Sequence, residues 1–111
     1  MTDRSFLGEF EQMVILAILR LGPDSYAVPI REEIEEQARR SVARGALYTS
    51  LERLESKGLL SSRMSDPTPE RGGRSRRYYE ATPAGVTAVK QSQEALARLT
   101  KGLDSVLGKA P

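Results

Sequence analysis

The fold is decided by residues 44–60, Arg44-Gly45-Ala46-Leu47-Tyr48-Thr49-Ser50-Leu51-Glu52-Arg53-Leu54-Glu55-Ser56-Lys57-Gly58-Leu59-Leu60, and residues 70–79, Glu70-Arg71-Gly72-Gly73-Arg74-Ser75-Arg76-Arg77-Tyr78-Tyr79. In the first, Leu47, Leu51 and Leu54 recur at i, i+4 and i+7, which is one apolar stripe of a helix. The spacing predicts a helix over residues 43–57, with Ser41 as N-cap and Gly58 in the left-handed position that ends it. Residues 59–64 then fit a short strand. Residues 66–73 hold too much Pro and Gly for regular structure, and residues 75–81 return as a second strand, with Tyr78 and Tyr79 supplying β propensity.

Upstream, Leu7, Phe10, Val14, Ala17, Ile18 and Leu21 keep helical spacing, and Met13, Ile15, Leu16 and Leu19 widen the stripe. A helix over residues 6–21, buried on more than one side and stopped by Gly22-Pro23-Asp24, is expected. Residues 26–38 read as a second helix on Ile30 and Ile34, with Pro29 tolerable only in its first turn. Glu32, Glu33, Glu35 and Glu36 crowd its other side, so it is expected to support rather than touch a polyanion. Downstream, Thr82-Pro83 is an N-cap followed by Pro at N1. A last helix over residues 83–107 would span about 35 Å, carrying Val86, Val89, Leu96, Leu99, Leu103 and Leu107. Its far half would lie in water unless it packs on something.

A chain of 111 residues fits one domain. It is divided into a unit over residues 1–82, with the hairpin at about 59–81, and a terminal helix over 83–111. No His or Cys is present, which removes the commonest general base, thiolate metal sites and disulfides. No nucleophile–base pair stands out, and carboxylate pairs such as Glu32 and Glu36 sit on a charged helix face; an enzyme is not expected, nor a metal or cofactor. No apolar run reaches the ~20 residues that span a bilayer. Acidic residues interrupt the apolar segment near the N-terminus, so a cytoplasmic chain without a membrane role is the simplest reading.

The net charge of +2 conceals an asymmetry. Residues 1–38 hold three Lys/Arg against eight Asp/Glu, residues 39–77 ten against four, and residues 78–111 four against three. The positive excess therefore coincides with the helix-plus-hairpin stretch, which points to an oriented polyanion-binding face. A helix followed by a charged β-hairpin is the ground plan of a winged helix-turn-helix. A major groove admits one helix and is read by side chains near its N-terminus. With the leucine stripe turned inward, Arg44, Gly45, Tyr48, Thr49, Glu52 and Arg53 face outward, and Arg39, Arg40 and Ser41 lead into the helix. Ser50 is small enough to join them. Arg71, Arg74, Arg76 and Arg77 load the hairpin tip, which can clasp a phosphate strand or enter a minor groove. The Gly-rich tip is not a nucleotide phosphate loop, for it lacks G-x-x-x-x-G-K-[ST] and a strand-to-helix setting.

The pattern G-x-L-Y-x-x-L-x-x-L-E-x-x-G-L at residues 45–59, G-R-x-[RK]-[RK]-Y-Y at 73–79 and T-x-x-G at 82–85 resembles the PadR family of bacterial transcriptional regulators. With Phe10-Glu11 to Leu21-Gly22 included, the resemblance covers most of the chain; Tyr26-Ala27-Val28-Pro29 departs from the family's Y-G-Y-E pattern. It implies a winged helix-turn-helix whose first and last helices form a homodimer. It also implies operator binding, usually repression, relieved in some members by a small molecule. The absence of Trp argues against an aromatic drug pocket.

The expectation is thus a mainly α chain with a small β-hairpin, acting as a homodimeric repressor on double-stranded DNA with a pseudo-palindromic operator. Its self-association face would use Leu7, Phe10, Val14, Val89, Leu96, Leu99 and Leu103. An effector pocket between Phe10 or Met13 and Leu96 or Leu99 is the lesser reading beside dry dimer core. The competing function is a winged-helix adaptor that binds protein without reading DNA.

Overall fold

The structure is a computed structural model describing residues 7–66, 72 and 75–108. Its elements run α1 (Glu9–Leu21), a 3-10 turn (Gly22–Asp24), α2 (Ala27–Ala38), α3 (Arg44–Ser56), β1 (Leu60–Met64), β2 (Arg77–Ala81), α4 (Pro83–Thr100) and α5 (Asp104–Leu107). α1 touches α2, α3, α4 and β2, so it is the central element that the broad apolar stripe requires. Val14, Ile15, Ile30, Leu47, Leu51 and Leu54 lose essentially all exposure and form an aliphatic core. α1 begins at Glu9, later than the periodicity suggests, because the Glu11 carboxylate accepts from the Gly8 N–H at 3.1 Å and caps the helix there. The other Glu11 oxygen meets Lys57 Nζ at 3.1 Å, so this buried carboxylate ties α1 to the end of α3.

The turn between α2 and α3 is held by α2 itself. Arg31 Nε donates to the Val42 carbonyl at 2.9 Å, and Glu35 accepts from the Val42 N–H at 2.9 Å. Val42 is buried, and the backbone stays extended through Ala43 (φ −70, ψ 137), the residue that caps α3 without a side-chain bond. Ser41 is therefore not the N-cap: the clamp on Val42 carries the chain past it before the helix starts. The far end of α3 follows the sequence reading. Gly58 has φ 78, its N–H bonds Glu55 O at 2.9 Å, and the Leu59 N–H bonds Leu54 O at 2.9 Å, a Schellman ending with both leucines buried.

β1 and β2 pair antiparallel, Leu60 opposite Ala81, Ser62 opposite Tyr79 and Met64 opposite Arg77. On its other edge β2 bonds the segment before α2, Tyr79 N–H to Ser25 O at 2.8 Å, which sutures the hairpin to the helical core. Ser25 is fully buried, and its hydroxyl reaches the Ile18 and Gly22 carbonyls at 3.1 and 2.8 Å.

Thr82 caps α4 by accepting from the Gly85 N–H at 3.0 Å, while its hydroxyl donates to Gly58 O at 2.7 Å. α4 stops at Thr100, not near residue 107. Lys101 leaves helical geometry (φ −58, ψ 128) and Gly102 takes φ 84, so the chain turns before the short α5. The leucine spacing runs on through Gly102, and periodicity alone did not register the stop. At 18 residues α4 spans about 27 Å, and the molecule measures 55 × 34 × 22 Å. Among the described residues, no helix is long and apolar enough to cross a membrane.

Candidate nucleic-acid interface

α3 divides its side chains sharply. Leu47, Leu51 and Leu54 are at most 1% exposed, whereas Arg44, Gly45, Tyr48, Thr49, Glu52 and Arg53 lie at the surface, Tyr48 at 46%. Ser50 belongs to the inward set at 7%, so its hydroxyl does not join the outward face. Arg39, Arg40 and Ser41 are exposed beside the leading end of α3. Arg39 closes α2 in the left-handed region (φ 58). Arg40 is turned toward α1, where its guanidinium meets Glu9 at 3.1 Å and Met13 Sδ at 3.5 Å; this exposed pair is weak enough to exchange for another anion.

The wing cations are placed by specific partners. Arg77 donates to Ser62 Oγ at 2.9 Å, and Ser62 donates onward to Glu55 at 2.7 Å, joining the strands to α3. The guanidinium carbon of Arg76 lies 4.0 Å from the Tyr26 ring centroid. Tyr26 meets Tyr78 edge-on at 5.4 Å, and Arg63 covers the Tyr78 ring at 4.9 Å. Arg76 lies just beyond the outermost ladder pair, Met64 opposite Arg77, where its carbonyl accepts from the Ser65 N–H at 2.7 Å, and it is half-buried against the residue that precedes α2. Arg71 and Arg74 lie outside the described residues. Tyr26 and Arg63 are not singled out by the sequence: Arg63 follows from the hairpin register, which sets it opposite Tyr78, and Tyr26 from the Tyr79–Ser25 backbone bond, which lays the start of α2 beside β2. A long connection between the strands hides that register until the fold is known.

Between α3 and the wing runs an open groove of about 790 Å³, lined by Tyr26, Val28, Tyr48, Glu52, Arg76 and Arg77, among others. Tyr79 sits at its floor, and burial pushes its phenol above the ordinary 10.0, with Arg77 opposing the rise. The groove offers phenols and guanidiniums to a ligand, with Glu52 setting a limit on where an anion can run.

Among the residues assigned to self-association, Leu7, Val14 and Val89 are at most 8% exposed within one chain. They belong to its own core and present no face to a partner. Phe10 is half-buried. Leu96, Leu99 and Leu103 are 51%, 74% and 41% exposed and remain available.

Helix-turn-helix plus paired hairpin defines a winged-helix protein. The family model described as the Transcriptional regulator PadR-like family matches residues 15–91, from within α1 to within α4. A Mycobacterium tuberculosis (strain H37Rv) protein named Transcriptional regulator Rv3488 is 37% identical over 100 residues, which is 86% of this chain and 87% of the relative. Among solved structures, a PadR-like transcription factor from Bacteroides fragilis aligns with TM-score 0.72 and 29% identity, covering 87% of this chain and 88% of that one. A PadR family regulator from Clostridium difficile R20291 aligns with TM-score 0.70 and 25% identity, covering 89% and 99%. The chain belongs to the PadR-like family of transcriptional regulators. The family and the relative are regulators of transcription, not enzymes.

Proposed function

We propose that this protein is a sequence-specific DNA-binding repressor that acts as a homodimer on a pseudo-palindromic operator. The observation that carries the reading is the division of α3. One side is locked into the core by three leucines, and the other offers Arg44, Gly45, Tyr48 and Thr49 beside a groove walled by Arg76 and Arg77. In this role α3 enters the major groove, where Arg44 meets a guanine edge and Tyr48 and Thr49 meet phosphate or a thymine methyl. The wing follows the adjoining backbone, and Arg39, Arg40, Ser41 and Arg53 reach phosphates on either side. The exposed Leu96, Leu99 and Leu103 support pairing of two copies through α4 and the segment after it.

A salt titration with purified protein and duplex DNA tests the reading. Each neutralised phosphate releases counterion, so log affinity should fall linearly with log salt at a slope of about −0.9 per contact. An affinity that ignores salt, or no complex with any duplex, contradicts it and favours the adaptor. Arg44→Ala should relax discrimination between related sites by about 1–3 kcal/mol at the base it meets.

A further inference from the structure

We infer that Tyr26 is a positioning residue for DNA binding: its ring is a platform that holds the Arg76 guanidinium ready for a phosphate of the strand lying in the groove. The inference rests on the DNA-binding reading above and adds to it a residue outside both α3 and the wing. Three observations converge. Arg76 lies over the Tyr26 ring at 4.0 Å, and its guanidinium makes no hydrogen bond or ion pair among the described residues. A guanidinium held by an aromatic face retains its in-plane N–H fork, the part that matches a phosphate. Tyr26 is itself fixed, edge-on against Tyr78 at 5.4 Å, and Tyr78 is covered by Arg63 at 4.9 Å. Finally, Tyr26 and Arg76 both line the groove between α3 and the wing.

The alternation Arg63, Tyr78, Tyr26, Arg76 spans from the hairpin to the start of α2. An arginine on a two-stranded wing would otherwise lose several rotamers when it binds. Stacked on a ring anchored to the helical core, it loses fewer, and the affinity gained is entropic. A free arginine ordered at an interface costs about threefold to tenfold in affinity, which is the effect expected from removing the platform.

The test uses the full chain, a labelled duplex recovered by selection from a random pool, and titrations between about 50 and 200 mM salt. Tyr26→Phe keeps the ring and should bind within about twofold of the unaltered protein. Tyr26→Leu should weaken binding about threefold to tenfold with the salt slope unchanged. Arg76→Ala should make the slope shallower by about 0.9. The double variant Tyr26→Leu/Arg76→Ala should be no weaker than Arg76→Ala alone, because the platform has nothing left to hold. Arg76→Lys leaves Tyr26 in place and keeps the charge, so it tests the idea even if Tyr26→Leu folds poorly; it should lose affinity as Tyr26→Leu does. Additive effects in the double variant, a Phe variant as weak as Leu, or a Lys variant equal to the unaltered protein would each overturn the inference while leaving DNA binding intact. Failure of the unaltered protein to bind any duplex would overturn both.

Discussion

Gly85, in the first turn of α4, lies against the Leu59 carbonyl so closely that a Cβ there would stand 2.1 Å from the oxygen. The same carbonyl accepts the Thr82 N–H at 3.1 Å, so the end of α3 and the start of α4 are joined by a hydrogen bond and a backbone contact that only glycine permits. This gives the T-x-x-G motif a mechanical meaning: Thr caps, and Gly lets the helix approach. Gly85→Ala should destabilise the fold by about 1–3 kcal/mol, the range of overpacked cores, read as a lower thermal midpoint. An unchanged midpoint would show that α4 can shift away without cost.

Gly45 is the opposite case. It lies in the first turn of α3, and a Cβ built on it meets nothing within 4 Å. Gly45→Ala should therefore raise stability by about 0.5–1 kcal/mol through helix propensity. If the bare backbone serves close approach to DNA, the same change should lower affinity. A chemical denaturation curve and a binding isotherm on one preparation check both; affinity that rises with stability would remove Gly45 from the interface.

Much of this was legible from residue spacing. Leu47, Leu51 and Leu54 gave the buried side of α3, Gly58 gave its end, and Thr82-Pro83 gave the start of α4, because each signal is local. The misplacements were not local. Ser41 has the chemistry of an N-cap, but Arg31 and Glu35, across the turn, fix Val42 and set the start of α3 at Arg44. The acidic side of α2 reads as a supporting one, but its partners lie far along the chain: Glu33 meets Arg20 at 2.6 Å, and Glu35 holds that turn. Val14 and Val89 carry the same stripe whether a neighbour from the chain or from a second copy covers them. Only the packing of α1 against α4 assigns them to the protomer's own core.

Tyr79 makes stability depend on pH in one direction. Burial holds its pKa above 10.0 in the folded chain. The folded state thus keeps a proton that the unfolded chain releases, the unfolded state binds fewer protons, and stability falls as pH rises past about 10. Below that value the contribution is complete and constant. Denaturant midpoints at several pH values, compared with those of Tyr79→Phe, isolate this residue from the other phenols. The unaltered protein should lose stability relative to the Phe variant only on the alkaline side.

Leu99, 74% exposed on α4, is the most open of the leucines expected to meet a second copy. Leu99→Glu should leave the helical signal of the chain intact and shift sedimentation from dimer to monomer, since a buried unpaired carboxylate is costly at an apolar interface. Binding to a full site should weaken more than binding to a half-site. A dimer that persists at the same concentration would place the self-association face elsewhere.

Dimeric operator recognition meets its sharpest test in the selection of binding sites from a pool of random duplexes with the purified protein. A dyad motif is expected, its half-sites about 10–10.5 base pairs apart or a multiple of that spacing, because two copies of α3 must reach successive major grooves. A pool that never converges, or that converges on a single half-site with no dyad partner, would contradict it.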